Sequence, residues 1–159
     1  MECPIARAAD ELGDGWTLLI LREAYKGART FGDFAGKLPI APTTLTRKLE
    51  DLVGRDFFTK RVYQEHPRRE RYEPTPKAED LLPVVIALGA WGNRWLAPNG
   101  DLLSVIDATT HATIEVEVVD RKSRRPIRAG SVALEPGPGA SAQLRRRVPV
   151  PIILGGAKP

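Results

Sequence analysis

Cysteine is nearly absent: Cys3 is the only one in 159 residues. No intrachain disulfide can form, and such sparing use fits a reducing compartment, the cytoplasm. Histidine occurs only at His66 and His111, both remote in sequence from Cys3. The chain has no HExxH, no paired-cysteine motif and no glycine-rich phosphate loop, so no catalytic residue, metal site or cofactor is expected. The GPGA run at Gly137–Ala140 is not a nucleotide motif, because nothing around it reads as strand-turn-helix. No apolar run is long enough to cross a bilayer, and no charged-then-apolar leader opens the chain, so no membrane role is expected. No fixed-period repeat is read along the chain.

What remains is an ordinary soluble composition, 42% hydrophobic and 28% charged, enough for one domain with an appendage. Lys and Arg number 24 against 20 Asp and Glu, a net charge of +4 and a pI near 9.5. An excess this small makes placement decisive for any polyanionic partner.

The chain centres on Ile40–Leu52. Leu45, Leu49 and Leu52 recur at helical spacing and form one apolar stripe. Pro42 suits a first helical position. The other face carries Thr43, Thr44, Thr46, Arg47 and Lys48, hydroxyls and cations of the kind that meet base edges and phosphates. An ordinary amphipathic surface helix shares that pattern, so the surroundings decide.

Three shorter helices precede it. Residues 4–12 carry Ile5, Ala8, Ala9 and Leu12 on one face and stop at Gly13. GWTLLILREAYKG is so apolar that it belongs in the middle of the domain, with Gly27 past its end. Thr30 reads as N-cap of TFGDFAGKL, with Asp33 in a capping-box position. Only Pro39–Ala41 separates that helix from the next, the layout of a helix-turn-helix.

After Phe58 the period changes. TKRVYQEH and RRERYEPT, parted by Pro67, read as a hairpin holding Lys60, Arg61, Arg68, Arg69 and Arg71. A basic hairpin here would grip the sugar–phosphate backbone beside a groove, as a wing does. A long helix follows from Pro76, where Leu81, Val85, Leu88, Trp91 (or Gly92) and Trp95 repeat at alternating threes and fours, a seam for a partner helix. Pro83 lies in its early part, where a kink is expected. From Pro98, LLSVIDA and ATIEVEVVD alternate like strands, with a basic turn at Lys122, Arg124 and Arg125. The extreme C-terminus reads as loose.

The stretches CPIARAADELGDGWTLLILREAYKG, RTFGDFAGKLP, TLTRKLEDL, KRVYQEHPRRERYEPT and LLPVVIALGAWG together resemble an HxlR-type winged helix-turn-helix transcriptional regulator, from Cys3 to about Trp95. The resemblance implies a mainly α fold with a small β-hairpin. Residues 1–97 would be the DNA-binding and dimerisation domain, and residues 98–159 a β-rich extension. It implies a homodimer that binds double-stranded DNA at an inverted-repeat operator, in the cytoplasm at the nucleoid. By position, the recognition helix is Pro42–Asp51. The DNA-facing set is Thr30, Thr43, Thr44, Thr46, Arg47, Lys48, Arg61, Arg68, Arg69 and Arg71. The dimer interface is Ile5, Leu81, Val85, Leu88, Trp91 and Trp95. Lys48 replaces a usual arginine, Ala41 a frequent serine cap and Ala78 a common glycine, and the tail lacks the cysteines of some relatives' extensions. Cys3 has a counterpart that senses oxidants or electrophiles in some members; a small-molecule effector is the other regulatory expectation. As an N-cap beside Pro4, with Arg7 one turn on, its thiolate would be favoured by the helix dipole. The rival reading is a helix-turn-helix scaffold serving as a protein-interaction or ligand-sensor module.

Overall fold

The computed structural model describes residues 2–155; the extreme C-terminal end from residue 156, which the sequence reading expects to be loose, lies outside the described residues. The chain forms two compact units, Ile5–Leu103 and residues 2–4 with 104–155. Among the described residues no helix is long and apolar enough to cross a membrane.

The first unit is built from α1 (Pro4–Leu12), α2 (Gly15–Tyr25), α3 (Phe31–Ala35), α4 (Pro42–Gly54), the hairpin β1 (Phe58–Glu65) and β2 (Arg68–Pro74), and α5 (Pro76–Leu96). Its core is the meeting of α2, α3, α4 and the hairpin. Ile20, Leu21 and Ala24 come from α2, Phe34 from α3 and Leu45, Leu49 and Leu52 from α4, all fully buried. The leucine stripe of α4 therefore faces inward as its spacing requires. Phe34, Phe58 and Tyr72 close the core with ring centroids 6.2–6.3 Å apart, near the edge-to-face arrangement aromatic rings prefer.

Helix ends explain how the short connections hold. Asp14 caps α2, its carboxylate accepting from the Trp16 and Thr17 amides at 3.1 and 3.4 Å. Gly27, just past α2, adopts φ +94, a conformation only glycine takes freely. The Thr30–Asp33 capping box is complete, and it opens a helix that stops at Ala35, one turn short of the expected span. Gly36 follows, and the Lys37 and Leu38 amides both turn back to the Phe34 carbonyl. The Arg55 guanidinium donates to the Asp10 and Glu11 carbonyls at 2.8 and 2.9 Å, capping the C-terminus of α1 from α4. Ala41, N-cap of α4, has no side chain to offer the exposed first turn. Ala41→Ser is expected to stabilise the unit by roughly 1 kcal/mol, read as a higher urea midpoint at unchanged slope.

The second unit contains the strands β3 (Ala133–Leu134) and β4 (Ile152–Ile153), which pair antiparallel, and the helix α6 (Ala142–Arg147). The strands expected at 102–108 and 112–120 are reduced to isolated bridges, Ile106 with Thr113 and Val119 with Pro126. Both bridges belong to tight hairpins that repeat thirteen residues apart, so a repeat is present where the sequence reading finds none. In the first, the Asp107 amide donates to Ala112, His111 to Asp107 and Ile114 to Val105. In the second, Asp120 donates to Arg125, Arg124 to Asp120 and Ile127 to Val118. Each turn is tied by its leading aspartate: Asp107 accepts from the Thr109 and Thr110 amides, Asp120 from those of Lys122 and Ser123. Each places a non-glycine residue at φ +60, His111 and Arg124. A turn closed so early leaves only a bridge's length of ladder on either side.

Candidate nucleic-acid interface

Short α3 lies against α4, and α4 lies against β1. The buried leucine stripe points Thr43, Thr46 and Arg47 outward and leaves Thr44 half-buried. The Thr46 hydroxyl donates back to the Pro42 carbonyl at 3.0 Å, which leaves its lone pairs facing solvent. Lys48 is placed differently. Its ammonium lies 2.7 Å from the Asp14 carboxylate, with only 17% of its side chain exposed. It thus ties α4 to the cap of α2.

That pairing gives Asp14 two tasks, and its carboxyl is held below the ordinary carboxylate range, chiefly by the Lys48 hydrogen bond. A depressed folded-state value means stability that is present above the unfolded value and lost as pH falls through the folded one. Asp14→Asn keeps the cap and removes the charge. It is expected to flatten the acid limb of the stability–pH profile below about pH 4, measured by urea unfolding at stepped pH.

The wing is the β1–β2 hairpin, in register from Phe58 with Pro74 to Glu65 with Arg68, with an irregularity between Val62 and Gln64. Thr30 bridges to Arg71, and the Tyr72 amide donates to the Arg29 carbonyl at 2.7 Å. The start of α3 is thereby sewn to the wing. An open cleft of about 530 Å³ results, bringing Thr30, Arg68 and Arg69 together with Tyr63, which sits at the irregularity. Arg61 and Arg71 stand apart from these, around a second cleft with Glu73 and Thr75.

Pairing then sorts the cations. Lys60 reaches Glu50 at 2.5 Å and Glu70 at 3.1 Å, Arg68 reaches Glu70, and Arg71 reaches Glu73 at 2.7 Å. The Glu70 carboxyl is held low first by Lys60 and then by Arg68. Arg47, Arg61 and Arg69 enter no ion pair among the described residues. Three guanidiniums, one on α4 and two on the wing, are therefore free to meet phosphate or base.

On α5, Val84, Leu88, Trp91 and Trp95 are each 48–66% exposed. Their spacing puts them on one face. Leu81 packs against the core and Val85 is half-buried, so Val84, absent from the seam read in the sequence, takes a place in the exposed stripe. The helix runs unbroken through Pro83. Ile5 is exposed on α1, and Cys3, half-buried, immediately precedes that helix. Among the described residues no group of His, Cys, Asp and Glu could hold a metal ion.

The helix-turn-helix and wing seen here match the HxlR-like helix-turn-helix family over residues 11–100, more than half of the chain. This chain belongs to that family. It is 35% identical over 141 residues to an uncharacterised HTH-type transcriptional regulator of Mycobacterium tuberculosis, covering 88% of this chain and 89% of the relative. Among solved structures, PA1374 of Pseudomonas aeruginosa, described as a transcription factor, superposes with a TM-score of 0.66 at 35% identity, over 92% of this chain and all of that one. The redox regulator HypR in its reduced form superposes with a TM-score of 0.55 at 26% identity, over 59% of this chain and 96% of that one. The protein is thus a DNA-binding transcriptional regulator of the HxlR-like family, a class of regulators and not of enzymes.

Proposed function

We propose that this HxlR-like regulator binds an inverted-repeat operator as a homodimer, with residues 1–97 as the DNA-binding and dimerisation part and residues 98–159 as an extension. The observation that carries the reading is the sorting of cations. Arg47 on the outer face of α4 and Arg61 and Arg69 on the wing are left unpaired, while neighbouring cations are tied to carboxylates. Thr43, Thr44, Thr46 and Arg47 read base edges from the major groove. Arg69, with Arg68 and Thr30 across the cleft, holds the backbone, and Arg61 and Arg71 extend that grip. Lys48 acts by fixing α4 against Asp14.

The exposed Val84–Trp95 stripe of α5 is the surface that a second copy covers, joined by Ile5, since Trp side chains this exposed suit an interface core. Two-fold symmetry then sets two recognition helices about 34 Å apart, one turn of DNA. Such a regulator works at the nucleoid, in the cytoplasm. Sedimentation of the free protein and of its DNA complex tests the assembly. Two chains are expected in both, and Trp91→Glu with Trp95→Glu is expected to give monomers with at least tenfold weaker DNA binding. Monomers in the wild type, bound one per site, would overturn it.

Regulation by oxidants or electrophiles falls to Cys3, through a mixed disulfide, an intersubunit bridge or alkylation. Cys3→Ser is expected to leave reduced-state DNA affinity unchanged and to abolish any diamide response. A diamide response that survives Cys3→Ser would remove Cys3 as the sensor.

A further inference from the structure

The positive charge of this chain is not concentrated where the helix-turn-helix is. Residues 5–103 hold fifteen Lys and Arg against fourteen Asp and Glu, net +1, whereas residues 104–155 hold eight against five, net +3. Within the second unit Arg128 pairs with Glu117, and Arg145 donates to the Gly137 and Pro138 carbonyls. Arg121, Lys122, Arg124 and Arg125 are exposed and enter no ion pair among the described residues. Four cations in five residues thus share one hairpin tip.

The acid nearest to them in sequence does not neutralise them. Asp120 accepts from the Lys122 amide at 3.3 Å, the Ser123 amide at 2.8 Å and the Ser123 hydroxyl at 2.5 Å, so it serves the turn. Those bonds, that of the Ser123 hydroxyl first, hold its carboxyl low. The hairpin thirteen residues earlier makes the same turn around Asp107, with Thr109 and Thr110 in the matching places. Its tip, Ala108 to Ala112, contains no Lys or Arg. One scaffold therefore occurs twice, once neutral and once cationic, and the turn does not need the cations in order to form. Crowded like charges oppose one another unless an anion lies between them.

We propose that the Arg121–Arg125 tip is a second DNA-binding element, gripping the sugar–phosphate backbone without reading bases. Three of its four cations are arginines, whose planar forks match phosphate oxygens. The inference rests on the DNA-binding reading above and adds to it a grip outside the helix-turn-helix. It assigns the C-terminal unit a share of affinity and none of the sequence preference.

The neutral tip supplies the test. In the full-length protein, Arg121→Ala, Lys122→Thr, Ser123→Thr, Arg124→His and Arg125→Ala together install the residues of the first turn in the second. A second variant, Arg121→Gln with Lys122→Gln and Arg125→Gln, leaves Ser123 and the φ +60 position untouched. Affinity for random-sequence duplex DNA is measured across salt concentrations. Each phosphate no longer neutralised removes about 0.9 from the slope of log affinity against log salt. Both variants are expected to bind at least tenfold more weakly at low salt, with a slope shallower by about 2 or more per dimer and an unchanged preferred sequence. Slope and affinity equal to wild type in both variants would overturn the proposal. A wild type without sequence preference whose slope still falls in the variants would sink the operator reading and leave the tip's role standing.

Discussion

Leu49→Ala is expected to destabilise the helical unit by about 3 kcal/mol or more, within the roughly 2–5 kcal/mol typical of a buried leucine truncated to alanine. Leu49 lies mid-way along α4, fully buried between Leu45 and Leu52 on the same face. That face meets α2, α3 and β1 at once, so no single neighbour can move in to fill the space. The lost transfer energy and the residual cavity therefore add. Leu49→Met, which conserves volume, is expected to cost below about 1.5 kcal/mol. Urea unfolding of the full chain reads both. The functional consequence follows from geometry, because the outward residues of α4 are aimed only by the seating of its inward ones.

Arg47→Ala is expected to lower operator affinity by about 1–3 kcal/mol, roughly fivefold to more than a hundredfold, and to relax preference at one base-pair position in each half-site. Stability should hardly change, since the side chain is exposed and enters no ion pair among the described residues. Arg69→Ala makes the contrast. Releasing the sugar–phosphate backbone weakens binding to all sequences alike and reduces the salt slope by about 1 for each phosphate no longer held. Lys48→Ala is a third kind of change. It frees Asp14 and loosens α4 against α2, so it alters stability as well as affinity.

The helical unit is largely legible in the sequence because its signals are local and mutually consistent. The leucine spacing of α4, the Asp33 box, the glycines after α1 and α2 and the Pro-marked hairpin each dictate a backbone state by themselves. What the sequence hides depends on partners distant along the chain. Lys48 looks like one more cation on the recognition helix, and only folding brings Asp14 to it. The α5 seam differs by one position because Val84 and Val85 are adjacent and equally apolar, and packing, not periodicity, selects which of the two is covered. The hairpin repeat escapes notice because the tips ATTHA and RKSRR differ in chemistry. The shared signal is nevertheless there: Val105, Asp107, Thr110 and Ile114 recur thirteen residues on as Val118, Asp120, Ser123 and Ile127. Turn-forming side chains and flanking apolar residues, not the tip as a whole, carry the periodicity.

The most direct test of the central claim is selection of bound DNA from a random pool by wild type, Arg47→Ala and Arg69→Ala. The predicted result is an enriched inverted repeat with half-sites one helical turn apart, relaxed at one position in each half by Arg47→Ala and weakened without change of sequence by Arg69→Ala. A folded dimer that enriches no sequence at low salt would contradict it, and would leave the unpaired guanidiniums of α4 and the wing without the role assigned to them.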